Sequence, residues 1–157
     1  MTTSPSHRLH ELGLALPPVP APAAAYVPAV RTGGYVWTAG QLPFVDGALP
    51  VTGKVGDGDG LVPPGVAYEQ ARVAVLNALA AVAEQAGSID RVARVVKLIG
   101  FVASDPSFTG QPAVINGASE LVGQVFGPAG LHARTAVGVA VLPMDAPVEV
   151  ELVVELT

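Results

Sequence analysis

The alternation of apolar and polar positions divides the chain into strands and helices. Near the C-terminus, Val148, Val150, Leu152, Val154 and Leu156 alternate with Glu149, Glu151, Val153 and Glu155, the period-two pattern of a strand with one covered face. Ala133 to Leu142 is apolar except for Arg134 and Thr135. With a turn at Pro143 to Pro147, these two segments are expected to form a β-hairpin. Val92 to Val102 is almost continuously apolar and β-branched, broken by Arg94 and Lys97, which predicts a central strand covered on both faces. Pro63-Pro64 opens a helix that places Ala71, Val75, Ala78, Val82 and Ala86 on one side, with Gly87 as its left-handed cap. A second helix starts at Pro112 and carries the stripe Val114, Ala118, Leu121, Val122 and Val125, with Asn116 roughly opposite.

The N-terminal half is less periodic. The proline-rich stretch Leu16 to Pro28 is expected to run extended before a first strand at Val27 to Arg31. Gly33-Gly34 is a hairpin turn signal, followed by a strand at Tyr35 to Ala39 that Gly40 ends. Phe44 to Leu49 reads as a turn or a short third strand. Gly53 to Gly60, GKVGDGDG, lacks both calcium-loop spacing and a phosphate-loop motif, so a flexible loop is expected. His7 to Gly13 reads as a local helix or a partly ordered lead-in. The order β-β-(β)-α-β-α-β-β, two helices on a mostly antiparallel sheet, is an α+β arrangement without internal repeats.

A chain of 157 residues suffices for one domain. Half its residues are hydrophobic, 13% are charged and the mean hydropathy is +0.50, too little charge for the exterior of a monomer. Some apolar surface is therefore expected between subunits. The uncharged run Leu12 to Val30 holds too many prolines for a membrane span, and the first residues lack a secretory pattern. A cytoplasmic address is expected, with no membrane partner. Absence of cysteine removes disulfides, thiolate metal sites and a cysteine nucleophile. The net charge of −5, with eight scattered basic residues, gives no footprint for nucleic acid.

The candidate chemistry centres on Arg134. A guanidinium beside Ala133, Ala136, Val137, Gly138 and Val139 needs an anion. The residues leave two sources open: Glu149 or Glu151 of the same protein, or a carboxylate ligand. Ala136, Gly138 and Ala140 share the arginine's face and let a ligand approach the backbone. His132, with no evident serine or cysteine partner, reads as a strand-entry histidine, and His7, His10 and His132 lack metal-ligand spacing. No metal and no cofactor are expected.

Several ordered motifs, spanning roughly Pro22 to Leu156, resemble the Rid (RidA/YjgF) family of trimeric enamine/imine deaminases. They are Ala25-Tyr26-Val27, Thr38-Ala39-Gly40-Gln41-Leu42-Pro43, Val114-Ile115-Asn116, Ala133-Arg134, Leu142-Pro143 and Val148-Glu149-Val150-Glu151. The resemblance implies a chorismate-mutase-like fold, with sheets packed around the axis of a homotrimer as a central barrel. It implies a domain at 22–157 behind an extension at 1–21.

It also implies roles: Arg134 and Glu149 as catalytic residues, and Tyr26, Gly40, Asn116 and Ala136 as substrate-binding positions. Many Rid proteins carry cysteine where Ala136 stands. The implied activity is hydrolysis of small 2-enamino or 2-imino acids to 2-keto acids and ammonia. The alternative is a non-catalytic trimeric module that captures small carboxylate metabolites. A ribonuclease, a label carried by some family members, fits the acidic charge least.

Overall fold

The computed structural model describes residues 3–21 and 24–157. The expected boundary at Pro22 lies outside the described residues. Eight principal elements follow in chain order: α1 (Pro5–Glu11), β1 (Ala29–Thr32), β2 (Tyr35–Thr38), α2 (Pro64–Ala86), β3 (Val92–Ala103), α3 (Gln111–Phe126), β4 (Ala133–Val139) and β5 (Val148–Leu156). The strands form one mixed sheet in the order β1-β2-β5-β3-β4.

The fold is α+β and chorismate-mutase-like. Its helices start and stop where the chain chemistry directs. Prolines occupy the first turns of α2 and α3, and Gly87 at φ +85° closes α2 by donating to the Ala83 carbonyl. The α2 and α3 stripes named above are buried against β3 and β5, whose Val95, Leu98, Val102, Val148, Val150, Leu152 and Val154 are fully enclosed. Gly117 permits the closest helix contact, since a Cβ there would lie 2.1 Å from the Tyr68 carbonyl oxygen.

The expected C-terminal hairpin does not form. β4 pairs in parallel with β3, while β5 lies on the other side of β3 and pairs with it antiparallel. The cause is α3, which carries the chain over the sheet so that β3-α3-β4 becomes a crossover unit. The β4–β5 connection then spans the end of β3, where Ser104 N–H donates to Val139 and Ala103 N–H to Pro147. The sheet is mixed, and α1 adds a third α-helix.

Two loop segments have definite local structure. Phe44 to Leu49 forms only a local turn bridged by Val45 and Ala48. The base of the Gly53 to Gly60 loop is pinned: Val55 is fully buried, its N–H donates to the Ala103 carbonyl and its carbonyl accepts from Asp105, while Val62 bonds to Lys54 and Gly56 on either side of it, leaving residues 57–60 exposed. Helix α1 is likewise anchored. The Ser6 backbone N–H and hydroxyl donate to the Asp90 carboxylate at 2.8 and 2.6 Å, and Arg8 reaches the Val125 carbonyl near the end of α3.

Only one sheet face is covered by helices. Val30, Trp37, Ile99, Phe101, Val137 and Val153 share the other face with Glu149 and Glu151, as the strand register dictates. Trp37 is 54% and Val137 41% exposed. β3 is thus interior but covered on one side within the protomer.

Candidate functional site

The residues singled out in the sequence form two groups. Arg134 pairs across the sheet with Leu98, a fully buried helix-side residue. Its side chain therefore turns toward α3, where Nη1 donates to Asn116 Oδ1 at 2.7 Å and to Ser119 Oγ at 3.3 Å. Asn116 faces β4 of its own protomer, and Arg134 forms no ion pair among the described residues. Neither Glu149 nor Glu151 neutralises it. Ala136 and Gly138 follow on the same side; a Cβ at Gly138 would lie 2.7 Å from Gln111 Nε2.

Sequence reasoning missed two members of this group. Ser119 Oγ lies 2.9 Å from His132 Nε2, and His132 Nδ1 lies 2.6 Å from the Gly130 carbonyl oxygen. Asn116 and Ser119 are three residues apart on one helix, and so are neighbours on its surface. That spacing was available as a signal; the proximity of His132 depended on the parallel placement of β4. An open concavity of about 540 Å³ lies beside this group, lined by Tyr35, Arg94, Leu131, His132 and Glu155 among others.

The second group gathers around Glu149. Its strand partner is Phe101, and Glu151 lies opposite Ile99, so both carboxylates sit on the uncovered sheet face. The Gln41 and Val150 backbones exchange hydrogen bonds of 2.9 and 3.0 Å, which lays Gly40 against Glu149. A Cβ on residue 40 would be 1.7 Å from Glu149 Oε1, so no side chain fits while the glutamate keeps this position. Burial, followed by the neighbouring Glu151 charge, pushes the Glu149 carboxyl above its ordinary range; burial does the same to Glu151. Tyr26 and Gly40 line a more apolar cavity of about 640 Å³, walled by Pro17, Pro18, Leu42, Phe44 and Leu76. The proline-rich segment Ala15 to Ala21 thus contributes to the wall beside two candidate positions.

No three His, Asp or Glu side chains converge as a metal site among the described residues. No helix among them is long and apolar enough to cross a membrane.

Residues 6–156 match the family described as "YjgF/chorismate mutase-like, putative endoribonuclease". The chain belongs to the YjgF (Rid) family. Protein TCP17 of Trypanosoma cruzi is 47% identical over 149 residues, covering 94% of this chain and 91% of that protein. A crystal structure titled a "putative endoribonuclease" from Shewanella oneidensis superposes with a TM-score of 0.92 at 32% identity, covering 98% of this chain and all of that one. E. coli TdcF, crystallised with bound serine, gives a TM-score of 0.61 at 26% identity, covering 88% and 94% of the two chains.

Proposed function

We propose that this protein is a cofactor-independent deaminase that hydrolyses small 2-enamino and 2-imino acids to 2-keto acids and ammonia. The observation that carries the reading is Arg134: a partly buried guanidinium that, among the described residues, is held by the neutral Asn116 and Ser119 and by no acid. A small carboxylate supplies the missing charge through paired N–H···O bonds. The bound serine of TdcF fits a small amino-acid-like ligand for a family member.

Glu149 supplies the chemistry in this reading. Its carboxylate accepts a proton from a water whose oxygen bonds to C2 of the imine, and the C=N pair moves onto nitrogen. The glutamic acid returns that proton to the nitrogen, giving a carbinolamine; the carboxylate then takes the carbinolamine O–H proton and passes it to the nitrogen, so the C–N bond breaks as C=O forms and ammonia leaves. An enamine first takes a proton at C3 from the glutamic acid and gives up an N–H proton to the resulting carboxylate, which makes it the imine. A carboxyl raised toward neutrality suits both directions of transfer. Gly40 gives the substrate backbone access beside that carboxylate, Tyr26 lines the adjoining cavity, and Ala136 keeps the strand beside Arg134 narrow.

Arg134 and Glu149 are on opposite sheet faces within one protomer. A complete site therefore requires residues of two copies, and the uncovered apolar sheet face supports the trimer expected from the resemblance. The deciding assay measures ammonia release from imino acids generated in situ by an amino-acid oxidase. Wild type is expected to accelerate release and Arg134→Ala to lose the acceleration; equal rates for both abandon the reading.

The same separation favours a second reading, a module that binds small carboxylates without turnover. It predicts a raised melting temperature with 2-keto acids and no acceleration of ammonia release. The net charge of −5 and the carboxylates on the open face weigh against a ribonuclease. The extension at 1–21 is proposed to shape the cavity at Tyr26 rather than to form a separate unit.

A further inference from the structure

Resting on the deaminase reading, we propose that Ser119 and His132 are positioning residues: a one-way hydrogen-bond relay that aims the Arg134 guanidinium at the substrate carboxylate. Its direction follows from donor and acceptor capacities. The Gly130 carbonyl only accepts, so the His132 Nδ1, 2.6 Å away, carries a hydrogen. In the neutral ring Nε2 is then a bare acceptor, and the Ser119 hydroxyl, 2.9 Å away, donates to it. This leaves the Ser119 oxygen lone pairs for the Arg134 Nη1 group. Each bond polarises the next, so the serine oxygen becomes a better acceptor than an isolated hydroxyl.

The relay fixes which edge of the guanidinium meets a ligand. Nη1 is engaged by Asn116 and Ser119, while Nε and Nη2 donate to no protein acceptor among the described residues. That remaining edge presents the parallel pair of N–H groups that binds one carboxylate side-on. The anchor of the relay is rigid: a Cβ on Gly130 would lie 2.7 Å from the Val122 carbonyl oxygen, so the turn holding the accepting carbonyl is pressed against α3. Asn116 and Ser119 belong to that same helix, so both contacts to the guanidinium share one frame with the anchor.

The test uses full-length protein and pyruvate as the probe, with affinity measured by calorimetry. Ser119→Ala and His132→Gln are expected to weaken pyruvate about 10-fold, and Ser119→Thr, which keeps the hydroxyl, to restore it. In turnover of freshly generated imino acids, the loss is expected in KM with kcat nearly unchanged. Nitrogen-15 shifts of the His132 ring are expected to report the Nδ1–H form in wild type and to change in Ser119→Ala. If Arg134→Ala abolishes pyruvate binding while Ser119→Ala and His132→Gln bind like wild type, the relay is overturned and the anion site stands. If Arg134→Ala binds pyruvate as wild type does, the deaminase reading and the relay both fall.

Discussion

Arg134 and Glu149 occupy strands flanking β3, but their side chains leave the sheet on opposite faces, Arg134 beside Leu98 and Glu149 beside Phe101. Two strand spacings separate them by about 10 Å across the sheet, and the offset of three residues adds about 10 Å along it. A single small substrate cannot touch both within one protomer. In the proposed deaminase, activity and assembly are therefore linked.

Removing that link gives the first prediction. Trp37→Glu combined with Val137→Glu places charges on the uncovered face. Wild type is expected to sediment at about three times the 15.8 kDa chain mass. The double variant is expected to sediment as a monomer and to lose turnover; unchanged sedimentation would place the interface elsewhere.

Arg134→Lys retains charge but not the paired donors. A loss of about 2–3 kcal/mol, roughly 30- to 150-fold in kcat/KM, is expected for an interaction between charged groups that loses its geometry. Activity within a factor of two of wild type would show that the guanidinium fork is not used.

Glu149→Gln separates chemistry from stability. The folded-state pKa is raised by burial and by Glu151, so the native protein holds its proton to higher pH than the unfolded chain does. That contribution is fully present below the unfolded value near 4.3 and is lost as pH rises through the raised folded value. Glu149→Gln is expected to abolish turnover yet increase the melting temperature at pH 7 to 8, with the gain disappearing near pH 4. A variant less stable than wild type at pH 8 contradicts the sign.

Gly40→Ala is expected to displace the Glu149 carboxylate, because the new methyl group would occupy its Oε1 position. A shift of about 1 Å at a catalytic group costs on the order of 100-fold. Kinetics would show this chiefly in kcat.

The helix pair offers a paired test in α3. Gly117→Ala forces a Cβ onto the Tyr68 backbone, whereas Gly123 is exposed with open space around it. Gly117→Ala is expected to cost about 1–3 kcal/mol, or roughly 2–4 °C of melting temperature per kcal/mol, and Gly123→Ala to gain about 0.5–1 kcal/mol.

Local chemistry was readable in the sequence wherever a single element decided it. The bounds of α2 followed from Pro64 and Gly87, and the alternating faces of β5 from Val148 to Leu156. Alternation also put Glu149 and Glu151 together, and the motif order identified the family. Pairing was not readable: β4 and β5 each have strand patterns consistent with a hairpin, and only the α3 crossover decides for the parallel partner. The relay was hidden for the same reason. His132 is thirteen residues from Ser119, and no periodicity joins the start of β4 to the middle of α3. The close approach of Gly40 to Glu149 was likewise hidden, because the glycine comes from a distant segment.

The grip of α1 on Asp90 and Val125 bears on how the protein is handled at the bench. Trimming the first dozen residues as dispensable frees the far end of the helix that carries Asn116 and Ser119, so a shortened version is expected to bind its guest less tightly while keeping every residue that touches it.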